Sequence, residues 1–134
     1  MVYETQEIEI NSQKMPYRID NFVLQMIQTK YSDIQEFQNE LMGWEKNEEG
    51  KVVKTKDISL NAINFIFPEM VKEGYACKNK ECPYTDAEII RAIDKPYLEM
   101  AIIINGELIR SITGKKKEKK TQPRTRKPRN ASTS

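Results

Sequence analysis

The side chains able to do chemistry are few: two cysteines, Cys77 and Cys82, and scattered carboxylates, lysines and tyrosines, with no histidine among 134 residues. Without imidazole the chain lacks the commonest general acid/base near neutral pH and the commonest nitrogen ligand for metals. Cys77-Lys78-Asn79-Lys80-Glu81-Cys82 resembles the start of a zinc site, but a structural site takes four protein ligands, and two thiols do not complete one. The spacing also differs from the C-x-x-C of redox motifs. The expectation is two free thiols in a loop. Glu7 with Glu9 and Glu48 with Glu49 lie in segments that read as solvated. Five scattered glycines form no phosphate-binding loop. Hence no catalytic residue, no cofactor site and no metal site is expected, and the chain reads as a binding protein rather than an enzyme.

The elements that would present such a binding surface follow from periodicity. Ile8 and Ile10 alternate with Glu7 and Glu9, Asn11-Ser12-Gln13 carry turn chemistry, and Met15, Tyr17 and Ile19 alternate again, which predicts an N-terminal hairpin. Pro16 cannot donate to a ladder, so its strand is an edge or pairs in part. From Asp20, a plausible cap, the period becomes helical through Phe22, Val23, Met26 and Ile27. Ser32-Asp33-Ile34-Gln35 has the form of a capping box ahead of Ile34, Phe37 and Leu41, and Gly43 can stop that helix.

Residues 45–57 are charged and read as a solvated loop or a hairpin. Ser59 opens a stripe of Leu60, Ile63, Phe67, Met70 and Val71 that runs to Gly74, with Pro68 inside it to kink or divide the helix. Thr85-Asp86-Ala87-Glu88 is a second capping box, before Ile89, Ile90 and Ile93. Asp94 with Pro96 opens a last helix, which Asn105-Gly106 weakens or ends. Three consecutive isoleucines, 102 to 104, read first as core, although on a helix they cannot all face one core and the alternative leaves one for the surface or an oligomer interface. The fold class is mainly α (α+β): a short N-terminal β-hairpin, about five helical segments, and a tail.

Charge divides the chain in the same place. Residues 115–134 hold nine Lys or Arg and one acid, a net +8 that leaves residues 1–114 at −6 of the chain's +2. The tail has no large apolar side chain, so ordering it recovers none of the roughly 1–2 kcal/mol of backbone entropy per residue. It is expected to be disordered beyond a single folded domain of residues 1–114. No apolar run approaches the roughly 20 residues of a membrane span, and none follows Met1, so the chain reads as a cytoplasmic protein with reduced thiols. A small nucleic-acid-associated protein acting through the basic tail is the alternative; the acidic body and the absence of tail aromatics weigh against it.

Three segments in order resemble the tail assembly chaperones of long-tailed phages and prophages of Gram-positive bacteria. They are Met15-Pro16-Tyr17-Arg18-Ile19-Asp20-Asn21-Phe22-Val23-Leu24, Ser59-Leu60-Asn61-Ala62-Ile63-Asn64-Phe65 before Pro68-Glu69-Met70-Val71-Lys72-Glu73-Gly74, and Asp94-Lys95-Pro96-Tyr97. The resemblance rests on order and spacing across residues 8–112. It implies a non-enzymatic protein of the host cytoplasm, absent from the mature virion, that binds the tape measure protein and keeps it soluble, with the tail tube protein as a further partner and a homo-oligomer allowed. A client helix would lie in an apolar groove, and Ile63, Phe67, Ile102 and Ile103 are its candidate lining.

Overall fold

A computed structural model describes residues 5–54 and 56–114. The expected disordered tail, residues 115–134, lies outside the described residues. Strands β1 (Gln6–Ile10) and β2 (Gln13–Tyr17) pair antiparallel, with Ile8 opposite Met15 and Glu7 opposite Pro16. Asn11 and Ser12 link them at φ of 52° and 65°, the left-handed pair whose twist suits a two-residue hairpin. Alternation then buries Ile8, Ile10 and Met15 and leaves Glu7 and Glu9 outside. In a two-stranded sheet both strands are edges, which is why Pro16 is accommodated.

Helix α1 (Asn21–Tyr31) is capped by Asp20, whose Oδ1 accepts the N–H groups of Phe22 and Val23. Helix α2 (Ile34–Met42) is capped by Asp33, which accepts the Glu36 N–H at 2.7 Å. The box expected from Ser32 does not form, because Ser32 carries the turn between the helices at φ 72° and the cap moves one residue on. Gly43 ends α2 in the left-handed conformation, as its position predicts. The charged stretch that follows resolves as a hairpin, β3 (Trp44–Lys46) with β4 (Val52–Lys54).

Helix α3 (Leu60–Cys77) starts where Ser59 Oγ accepts the Ala62 N–H and sits at the centre of the molecule. It packs against β2, α1, α2, α4 (Asp86–Ala92) and α5 (Tyr97–Thr113). Pro68 does not divide it. The roughly 3 kcal/mol cost of an interior proline is offset by burial of Pro68 itself and of Ile66, Phe67, Met70 and Val71 around it. Nor does Gly74 stop the helix, which continues for three more residues to Cys77. Gly74 is instead the point where β2 presses on α3: a Cβ there would meet the Pro16 carbonyl carbon at 2.5 Å. One turn earlier the Met70 carbonyl accepts the Arg18 N–H at 3.1 Å.

The Thr85 box forms as its spacing predicts: Thr85 Oγ1 accepts the Glu88 N–H, and Glu88 Oε1 accepts the Thr85 N–H at 2.8 Å. Helix α5 begins after Pro96, passes Asn105-Gly106 unbroken and ends at Gly114. The core between these helices is aliphatic with two phenylalanines, Phe37 and Phe67, fully buried. Tyr31 packs edge-on against Phe37 with ring centroids 5.1 Å apart. Among the described residues no helix is long and apolar enough to cross a membrane.

Candidate functional site

Helix α5 is apolar on two faces. Its inner face buries Met100, Ala101, Ile104 and Leu108. On the other side Leu98, Ile102, Ile109 and Ile112 remain 52%, 55%, 46% and 53% exposed. At 3.6 residues per turn these four fall within an arc of about 80°. With Asn105 among them the spacing is four, three, four, three, the a/d pattern by which one helix seats another. Asn105 is fixed by α2, since Gln38 Nε2 donates to its Oδ1 at 2.7 Å. Gly106 flanks the stripe, and a Cβ there would meet nothing within 4 Å. Four large aliphatics in solvent on one helix form a contiguous patch, unlike single exposed apolar residues, which are normal on any protein.

Of the residues expected to line a groove, only Ile102 lies in this stripe. Ile63 and Phe67 are 1% and 0% exposed, inside the core. Ile103 is half-buried and packed against the core from one flank of α5. The reason is the position of α3, which other elements surround, so that its stripe is consumed by the fold. Leu98, Ile109 and Ile112 are not among the residues expected from the sequence to line a groove. Their signal was available in the four-three spacing offset from the inner face of the same helix.

The titratable groups converge elsewhere. Carboxylate oxygens of Asp20 and Glu73 and the Cys77 Sγ all lie within 4.8 Å of one another, and the Arg18 Nε is 3.9 Å from Asp20 Oδ2. The sequence placed both cysteines in a loop, but Cys77 is the last residue of α3, where its thiol donates to Glu73 Oε2 one helical turn back at 4.0 Å, while the Cys82 thiol donates to the Tyr84 carbonyl. Both thiols are free. Three donors are one short of a structural zinc set, and Arg18 already supplies positive charge beside them. Burial, then the hydrogen bond and charge of Asp20, push the Glu73 carboxyl up to about 7, with Arg18 opposing. Burial likewise raises the Cys77 thiol above its ordinary value, Arg18 pulling it down and the two carboxylates adding to the rise, which makes it a poor nucleophile at neutral pH. What the cluster does chemically is hold a proton on Glu73 more tightly than an ordinary carboxyl would.

A pH dependence follows. Glu73 holds its proton more tightly folded than unfolded, so the folded state binds more protons between the ordinary 4.5 and about 7. Stability therefore falls as pH rises through that window. Because Glu73 is only partly buried, solvent screening limits the effect to the order of 1 kcal/mol. Glu73→Gln is expected to flatten the profile and raise the urea midpoint at pH 8. An unchanged slope between pH 5 and 8 would show that another group carries it.

Beneath the stripe, the inner face of α5 holds the buried Glu107, 3% exposed. It accepts Arg110 Nε at 2.9 Å and Arg110 Nη2 at 2.7 Å, and its Oε2 also accepts the Ile19 N–H at 3.2 Å. This ties the entry of α1 to α5 and holds the helix that presents the stripe. No family model, no curated protein and no solved structure matches the chain.

Proposed function

We propose that the chain is a phage tail assembly chaperone that binds a helix of the tape measure protein and keeps that protein soluble until the tail tube forms around it. On this reading it acts in the host cytoplasm and is left out of the finished virion. The observation that carries the reading is the outer face of α5, where Leu98, Ile102, Ile109 and Ile112 stand half-exposed at coiled-coil spacing. A long helical client exposes apolar stripes that aggregate unless covered. A second helix lying along α5 at about 20° would seat its own apolar residues between these four.

The test is co-expression with the cognate tape measure protein, which is expected to become soluble and to co-purify. Ile102→Asp with Ile109→Asp should abolish this while circular dichroism and the thermal midpoint stay near the parent values, because both side chains are half-exposed and an aspartate there keeps its carboxylate in water. Ile63→Asp serves as the contrast and should unfold the chain, since it buries a charge with no partner. A client equally soluble alone would end the proposal. Loss of binding on deleting residues 115–134, with steep salt dependence, would transfer it from the α5 face to tail electrostatics.

A further inference from the structure

We propose that the cavity between the turn of the N-terminal hairpin and helix α4 is a binding site for a guanidinium or ammonium group carried on a short apolar stem. The cavity has a volume of about 210 Å³. Two contacts, one on either flank of α4, bracket it. Before the helix the Tyr84 hydroxyl donates to Gln13 Oε1, and after it Asp94 Oδ2 accepts the Asn11 N–H at 2.9 Å. The hairpin turn is thus tied to both ends of α4, while the helix itself lines the space between with Glu88 and Ala92, one turn apart. Ala92 is too short to fill that space. The cavity therefore belongs to the folded chain before any ligand arrives, as most small-ligand sites do.

Volume limits the occupant. At a water's share of roughly 30 Å³ for each non-hydrogen atom, the cavity takes about seven such atoms. That is the size of an arginine side chain. It falls below the roughly 300–1,000 Å³ of pockets that take larger ligands such as nucleotides.

Charge limits it further. Glu88 is the charged side chain of the wall, and no lysine or arginine is among the described residues that line it. Glu88 Oε1 accepts the Thr85 N–H at 2.8 Å, which leaves Oε2 to accept from a ligand. The Tyr84 oxygen gives its proton to Gln13 and keeps lone pairs for a second donor. A carboxylate beside a further acceptor selects a cation with several N–H groups and repels an anion. Ile10 and Met15, both buried, form the apolar wall with Ala92, and a methylene stem lies against such a wall while its charged head stays at the polar rim. None of these residues belongs to the outer face of α5, so the site stands apart from the function proposed above.

Amide NMR titration of the full chain with n-butylguanidinium is the experiment. Saturable shifts at Gln13, Glu88 and Ala92 are expected, with a dissociation constant on the order of a millimolar for so few ligand atoms. The neutral analogue n-butylurea should bind about tenfold more weakly or not at all. Glu88→Gln keeps the capping box, since glutamine serves there too, and should weaken binding about tenfold with the thermal midpoint near that of the parent. Ala92→Leu should abolish binding by filling the cavity. Glu99→Gln, at an exposed acid outside the cavity, should leave binding unchanged. A blocked pentapeptide with a central arginine separates the two sources of such a cation. Tighter binding than n-butylguanidinium assigns the site to a basic side chain of a polypeptide, weaker binding assigns it to a small free cation, and both keep the site. Absence of any saturable shift, equal binding of n-butylurea, or binding that survives both Glu88→Gln and Ala92→Leu overturns the proposal.

Discussion

Replacing Glu107 by alanine is expected to lower the unfolding free energy by about 3 kcal/mol, the low end for breaking a buried charge pair. Three donors converge on that carboxylate, two from Arg110 and one from the Ile19 backbone. Removing it takes the counter-charge from a guanidinium whose side chain is only 13% exposed. It also leaves the Ile19 N–H inside the protein without its acceptor, which alone costs about 1–3 kcal/mol. Glu107→Gln keeps an acceptor for Ile19 but not the charge, so it should fall between the two. Glu107→Leu combined with Arg110→Leu should recover part of the loss, because apolar replacement of a buried pair is often close to neutral. Urea unfolding followed by circular dichroism reads all three. An alanine variant within 0.5 kcal/mol of the parent, a threshold set by typical surface substitutions of about that size, would show that water takes over the role of the carboxylate.

Gly74→Ala is expected to cost about 2 kcal/mol, although alanine is the better helix former. The added methyl would lie 2.5 Å from the Pro16 carbonyl carbon, 2.6 Å from its oxygen and 2.7 Å from the Tyr17 nitrogen. All three are backbone atoms of β2, so no side chain can rotate away and the hairpin must move off α3. Gly106→Ala provides the control in another helix of the same chain. Its Cβ meets nothing within 4 Å, and the helix should gain up to about 1 kcal/mol. The two variants differ by one methyl each and should shift the thermal midpoint in opposite directions. If both raised it, the packing of β2 on α3 would be looser than the distances state.

The contrast between those two glycines marks where the sequence stopped being informative. Local signals were legible because their physics is local. Alternation of Ile8, Ile10 and Met15 set the hairpin, Thr85 with Glu88 set a helix start, and the apolar periods placed the five helices found among the described residues. Gly74 read as a helix stop because glycine commonly ends helices; that a strand crosses there depends on residues nearly sixty positions away. Glu107 had no signal at all, since its partner across the fold is a backbone N–H at Ile19, which any residue type would offer.

By itself the sequence determined the N-terminal hairpin and the approximate places of the five described helices, how charge divides between residues 1–114 and 115–134, and that imidazole chemistry is absent. Those properties are additive over short stretches of chain. Only the tertiary structure decided which apolar stripe is core and which is surface. Ile63 and Phe67 carry the same hydrophobic signal as Ile102, yet α3 is enclosed by its neighbours and α5 is covered on one side alone. Burial is a property of what packs against a residue, and two stripes of equal apolarity differ only in whether another element arrives to cover them.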